Sequence, residues 1–246
     1  MEGLKGKVII LTGSEGLIGS AIRDLLLKES ATLVQVDIVF QDRGQDQFEC
    51  DITNPSEVRK LIEKVHHEYG RIDGLVNNAY PRTSDWGNKF EDVPFESWGK
   101  NVEMQLNSCF QLCQLVLPIM KEQGSGSVVN ISSIYGIVGN DFTVYENTGG
   151  MTSPAAYSAI KGGVINFSRY LASYYGEYGV RVNTVSPGGV FNHQNTKFVE
   201  QFEYKVPLKR MAKPHEIAPP IAFLLSDQSS YVTGHNLVVD GGWTAI

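Results

Sequence analysis

Thr12-Gly13-Ser14-Glu15-Gly16-Leu17-Ile18-Gly19 is the stretch that decides the fold. It follows residues 7–11 (KVIIL), a short apolar β-branched run that reads as a buried strand. It leads into Leu17–Lys28, where apolar residues recur at helical spacing. Strand, glycine loop, helix is the order that brings a helix N-terminus and bare backbone N–H groups up to a pyrophosphate. Three glycines alone mark only a tight turn. The strand before and the helix after are what make Gly13, Glu15, Gly16, Leu17, Ile18 and Gly19 a candidate phosphate loop.

Working outward, a second strand over residues 32–36 ends at Asp37. A carboxylate there accepts hydrogen bonds from both ribose hydroxyls of an adenosine and repels a 2′-phosphate. Glu15 adds negative charge where a phosphorylated ribose would need a base, so the expected cofactor is NAD rather than NADP. Downstream, helical patterns over 54–69, 96–121, 154–175 and Pro214–Leu225 alternate with strands at Gly74–Asn77, 127–131, 181–185 and Asn236–Val239. Asn54 suits the N-cap of the first of these helices, Pro55 its first turn and Gly70 its end. The strands are apolar throughout rather than alternating, as strands buried on both faces are. The expected fold class is therefore α/β: a single Rossmann-like doubly wound domain over residues 1–246, with a mostly parallel seven-stranded sheet and helices on both faces. Two polar, irregular stretches follow strand ends, at residues 139–153 and 190–206. The expectation is that 140–153 is an insertion and 190–206 a lid, both over the substrate site.

Composition narrows the partners. A net charge of −6 argues against nucleic acid and against an anionic membrane surface, which favour a basic face. The N-terminal apolar run is too short for a signal segment or a membrane span. Cys50, Cys109 and Cys113 are an odd, sparse set that reads as reduced thiols in a cytoplasmic protein, and no metal site is expected.

Tyr157-Ser158-Ala159-Ile160-Lys161 places a phenol and an ammonium four apart on one helix face. In a chain with 11 Tyr, chance supplies about half a match to Tyr-x-x-x-Lys, so position must carry the specificity. The neighbours supply it. With the glycine loop, Asp51-Ile52, Asn77-Asn78-Ala79, Ser132-Ser133, Pro187-Gly188 and Val239-Asp240-Gly241-Gly242 in this order, the whole chain resembles the classical branch of the short-chain dehydrogenase/reductase family. The resemblance implies Ser133, Tyr157 and Lys161 as catalytic residues. It implies cofactor contacts from the glycine loop, Asp37, Asp51, Ile52, Asn78, Ala79, Tyr157, Lys161, Pro187, Gly188 and Val190, and a homo-oligomer, tetramer or dimer, built on the long fourth and fifth helices. An ammonium and a positive nicotinamide ring both favour phenolate, so the Tyr157 pKa is expected to fall, suiting the residue to general acid/base work. Ser133 would hold the substrate oxygen beside it.

Several positions depart from the family pattern. Gln105 stands where a relay Asn is usual and is assigned that role. Tyr80 replaces the Gly of Asn-Asn-Ala-Gly, Leu17 a loop Gly, and Asn192 a Thr. Ser133 and Tyr157 are 24 residues apart, about twice the family's usual spacing, and residues 140–153 are the excess. Their polarity points to a small polar substrate, a sugar or polyol derivative, with Arg82, Tyr145, Glu146 and His193 as candidate contacts. The Tyr-Glu-Asn stretch before Met151-Thr152-Ser153-Pro154 resembles a subgroup linked to surface-sugar or flagellin-glycan modification. The expected reaction is NAD-dependent interconversion of a secondary alcohol and a ketone. The alternative is a catalytically weak NAD-binding regulatory or scaffold protein of the same fold, to which the departures lend weight.

Overall fold

The computed structural model describes residues 3–41, 44 and 46–246. Its seven strands are β1 (Val8–Thr12), β2 (Thr32–Asp37), β3 (Gln47–Glu49), β4 (Gly74–Asn77), β5 (Gly126–Ile131), β6 (Val180–Pro187) and β7 (Asn236–Val239). They form one sheet in the order β3-β2-β1-β4-β5-β6-β7, and every neighbouring pair is parallel. The sheet is thus wholly rather than mostly parallel. Every residue of β1 is buried, because helices cover both faces.

The helices are α1 (Leu17–Lys28), α2 (Pro55–Tyr69), α3 (Phe95–Val102), α4 (Ser108–Gln123), α5 (Ala155–Tyr175), α6 (Thr196–Lys205) and α7 (Pro214–Leu225). On one face, Val58, Leu61, Val116, Leu117 and Leu171 of α2, α4 and α5 pack with Val128 and Val182. On the other, Ile22 and Leu26 of α1 meet Ile217, Ile221 and Leu225 of α7 over Ile9 and Val129. The chain runs outward from β1 to β2 and β3, then returns to place β4 on β1's other side. That reversal opens a crevice at the strand C-termini, where open α/β sheets bind ligands.

The caps behave as their residue types require. The Asn54 side chain accepts from Ser56 N, and Gly70 ends α2 at φ 69°. Three elements differ from the sequence reading. β3 is only three residues long, too short for a period to register. The predicted helix over 96–121 is α3 and α4 joined through a π-helical turn, Glu103–Asn107. Residues 190–206 are not irregular throughout, since they contain α6. Its N-cap Asn195 accepts from Lys197 N and Phe198 N, and it buries Phe198 and Phe202. Among the described residues no helix is long and apolar enough to cross a membrane.

Candidate active site

The phosphate loop depends on glycine at two places. Gly13 has φ +67°, and a Cβ there would lie 2.8 Å from Ala79 Cα. A Cβ on Gly19 would overlap the Gly13 carbonyl oxygen. Side chains at either position would push the loop off β4 or off α1. Gly16 caps α1 with no side-chain hydrogen bond, so no side chain takes up the first N–H groups of the helix. Asn78 Nδ2 donates to Thr12 O and Gly13 O, both at 3.0 Å, tying the end of β4 to the loop. At the end of β2, the Asp37 carboxylate accepts from Glu15 N at 2.9 Å and Ile38 N at 2.8 Å, which fixes its orientation. Glu15 itself pairs with Arg23 at 2.6 Å. Its charge is therefore partly answered, and the argument for an unphosphorylated ribose rests on Asp37.

These elements line a cleft of about 870 Å³. Of the residues assigned to the cofactor from sequence, Gly13, Glu15, Gly16, Leu17, Ile18, Asp37, Asp51, Ile52, Asn78, Ala79, Tyr157, Lys161, Pro187, Gly188 and Val190 all line it. Gly19 does not; it packs against Gly13 from behind. Ile38 and Val39 also line the cleft and are 68% and 63% exposed. The sequence reading missed them, although two apolar residues straight after an acidic strand end are a signal for an adenine platform. A glycine cradle, an anchored carboxylate at one end and exposed apolar side chains beside it fit a dinucleotide.

Ser133, two residues past β5, is buried, and its Oγ accepts from Tyr135 N at 3.2 Å. It does not line the cleft itself, but its hydroxyl beside the Tyr157 phenol draws the phenol's pKa down. Burial outweighs that pull and leaves Tyr157 above its usual value. The expected fall counted a nicotinamide charge as well as an ammonium, and the position of Lys161 shows why the ammonium alone does not bring it about. Lys161 is buried, its Nζ donates to Ile131 O at 2.8 Å, and it lies 5.6 Å from the centre of the Tyr157 ring. The ammonium is turned to a carbonyl rather than to the phenol oxygen. Burial lowers the Lys161 pKa to about 8.

Gln105 sits in the π-helical turn with both amide atoms buried and without a partner among the described residues. It lines a cavity of about 20 Å³ together with Asn77, Cys109, Asn130 and Lys161, room for one water. Asn107, by contrast, is exposed. Beneath this cavity Asn77 Nδ2 donates to Asn130 Oδ1 at 2.7 Å, and Asn130 Nδ2 to Ser168 Oγ at 2.8 Å.

The remaining candidates divide. Arg82 and Asn192 line the cleft, and so do Tyr80, Ser132 and Gln194. Tyr145 packs on Phe198 at 5.2 Å and belongs to the same apolar cluster as Tyr157. Glu146 and His193 are exposed and absent from the cleft lining. Residues 140–153 do not hang free. Asp141 pairs with Lys205, Gln201 Nε2 donates to Val144 O and Glu146 O at 2.9 and 3.0 Å, and Asn140 bonds both Ser153 and Ser158. The insertion is thus bolted to α6 and to the start of α5. Among the described residues no group of three or more His, Cys, Asp or Glu is placed to hold a metal ion.

Comparison with known proteins gives the chain its relatives. Residues 25–244 match the family model described as enoyl-(acyl carrier protein) reductase. A 3-oxoacyl-[acyl-carrier-protein] reductase of Thermotoga maritima is 34% identical over 97% of this chain and 98% of its own. The post-translational flagellin modification protein A of Campylobacter coli is 31% identical over 98% and 99%. Among solved structures, a short chain dehydrogenase from Leptospira borgpetersenii with bound NAD+ aligns with a TM-score of 0.90 at 34% identity, covering 98% of this chain and 94% of that one.

Proposed function

We propose that this chain, which belongs to the short-chain dehydrogenase/reductase family, interconverts a secondary alcohol and a ketone on a small polar substrate, a sugar or polyol derivative, with NAD as cofactor. The family's members are oxidoreductases that use nicotinamide cofactors, and that much holds for the chain as a family member. The observation that carries the finer reading is that Tyr157 and Lys161 line the same cleft as the glycine loop and Asp37, with Ser133 buried just beside Tyr157.

When bound, the nicotinamide supplies the hydride acceptor or donor. The chain's own residues do the rest. Tyr157 takes the hydroxyl proton of the alcohol, or returns it to the ketone oxygen, and Ser133 holds that oxygen within reach. The Tyr157 phenol is raised by burial in the free protein, so it is the acid form that stands ready. Ionising it requires positive charge close by, and Lys161 is the side chain that can supply it by leaving Ile131 O. Gln105, with its unpartnered amide behind Lys161, is the relay residue of this reading.

The polar substrate is inferred from the polar side chains that line the cleft and from the polar insertion at 140–153. Tyr80 and Asn192 bring a hydroxyl and an amide to the cleft, whereas the Gln194 amide is spent on Asn192 N and Val190 O. Three free, buried thiols support a reducing, cytoplasmic setting.

The test is NADH formation by the purified protein across a panel of sugars, polyols and hydroxy acids. Oxidation of at least one of them, lost by about a thousandfold in Tyr157→Phe with NAD binding kept, is the expected result. NAD binding without turnover on any of them, and no measurable effect of Tyr157→Phe, would leave the binding-protein alternative standing instead.

A further inference from the structure

Tyr80, Trp86 and Tyr157 meet as three rings at near right angles. Their centroids lie 5.7 Å apart for Tyr80–Trp86, 5.6 Å for Tyr80–Tyr157 and 6.1 Å for Trp86–Tyr157, with interplanar angles of 79°, 76° and 86°. Edge-to-face contact is what ring quadrupoles favour, so the corner braces itself. Trp86 packs against the cluster of Ala156, Ile160 and Val164, so the corner has a solid back. Tyr80 lines the cleft, so a ring stands beside the phenol where the family pattern leaves a glycine's space.

This ring carries a cation. The Arg82 guanidinium carbon lies 5.4 Å from the centre of the Tyr80 ring. Arg82 is exposed at the rim of the cleft and makes no ion pair among the described residues. The nearby carboxylate of Asp85 is engaged elsewhere, accepting from Ser97 Oγ at 2.6 Å. The other charges in the cleft are segregated. Glu15, Asp37 and Asp51 belong to the glycine-loop end, whereas Arg82 and Lys161 flank the Tyr80–Tyr157 pair. A guanidinium presents a planar fork of donors that matches a carboxylate or a phosphate two bonds at a time. Stacking on an aromatic face limits the orientations over which that fork can wander.

We propose that Arg82, carried on the face of Tyr80, selects substrates that bear an oxyanion, carboxylate or phosphate, one ring's breadth from the reacting carbon. The proposal rests on the reading of Tyr157 as the acid/base, since that reading places the reacting carbon. Tyr80 acts here as a positioning residue through its ring, and Arg82 as the specificity determinant.

The test is calorimetric titration of the NAD+-saturated protein at low salt with D-gluconate and D-glucose 6-phosphate against uncharged sorbitol and D-glucose. At least one anion should bind at least tenfold more tightly than its uncharged counterpart, and whichever of the two does so tells carboxylate from phosphate. Arg82→Gln and Tyr80→Gly should each erase the difference, and Tyr80→Phe should keep it, because the ring and not its hydroxyl holds the guanidinium. The NAD+ dissociation constant of Arg82→Gln should stay within about twofold of the parent. Equal binding of charged and uncharged compounds overturns the proposal. So does a loss of NAD+ affinity in Arg82→Gln as large as the loss of anion affinity, which would put the guanidinium on the cofactor's pyrophosphate. NADH formation is read separately. An anion preference without any turnover sinks the hydride-transfer reading and leaves the anchor in place, and turnover with no anion preference does the reverse.

Discussion

Lys161 Nζ donates to the carbonyl oxygen of Ile131 at 2.8 Å from within the protein, and this bond holds a charged group where water cannot solvate it fully. Burial lowers its pKa to about 8, against about 10.4 in an unfolded chain. Between those values the unfolded state binds more protons than the folded one, so the contribution of Lys161 to stability rises as pH rises through the window. The full rise is about 3 kcal/mol. Cys50, pushed up to about 11 by burial, pulls the opposite way above pH 9, so the parent curve alone does not isolate the effect. Chemical denaturation of the parent and Lys161→Met at pH 7, 8, 9 and 10 does. The parent should gain on the variant by roughly 2 kcal/mol across that range. A constant gap would mean that Lys161 is not desolvated.

Gln105 gives a prediction in which stability and activity part company. Its amide is buried and both polar atoms lack partners among the described residues, a defect that costs about 1–3 kcal/mol, less if a water fills the adjoining cavity. Gln105→Leu removes the defect at similar volume. The variant should melt at the parent's temperature or a few degrees above it, roughly 2–4 °C for each kcal/mol recovered. Its kcat should nevertheless fall by at least about tenfold, because the relay amide is gone. A variant less stable than the parent with unchanged kcat would make Gln105 a structural residue and remove it from the site.

How much of this was readable beforehand follows from the range of each signal. The glycine loop, the capped α2 and the apolar strands are local patterns, and they fall where the sequence puts them. Asp37 and the Tyr157–Lys161 pair were legible because each sits at a strand end or helix start. β3 carries three residues and no period. α6 had a readable cap in Asn195, with Phe198 and Phe202 one turn apart, but polar neighbours masked it. The docking of residues 140–153 was illegible for a different reason. It depends on Gln201 and Lys205 meeting residues 55 to 64 positions away, and no local window holds both partners. The direction of the Lys161 ammonium is of the same kind, since its acceptor is a main-chain oxygen that any residue at 131 would offer.

A second exposed surface leads to a prediction about assembly. Phe110 on α4 is 48% exposed and packs on Phe167 of α5, while Tyr170 and Tyr174 stack one turn apart on α5 at 61% and 56% exposure. Large aromatic side chains gathered on neighbouring helices are costly to leave in water and suit a self-complementary contact. Sedimentation should give a dimer or tetramer for the parent. Phe110→Glu combined with Tyr174→Glu should shift it toward monomer while the fold survives, as read by far-ultraviolet circular dichroism. A monomeric parent at micromolar concentration would refute the interface.

Asp37 makes the sharpest statement about the cofactor. Its carboxylate is held by the Glu15 and Ile38 N–H groups, so it cannot swing away from a phosphate placed on the ribose. Close approach of two anions in a partly buried cleft costs several kcal/mol, so on the proposed reading the parent should bind NADPH far more weakly than NADH. Asp37→Ser keeps a small acceptor for those N–H groups and removes the charge. It should raise NADPH affinity by at least about tenfold and weaken NADH by a similar factor, because the ribose hydroxyls lose their acceptor. Arg23 bears on the size of the gain. With Asp37 replaced, Glu15 still adds negative charge to the loop and holds Arg23 at 2.6 Å, while Asp24 pairs with the same guanidinium at 3.0 Å. The double variant Asp37→Ser, Glu15→Ala should therefore favour NADPH more than either change alone. Fluorescence titration of both reduced cofactors against the parent and the three variants decides it. A parent that binds NADPH more tightly than NADH would overturn the assignment of Asp37.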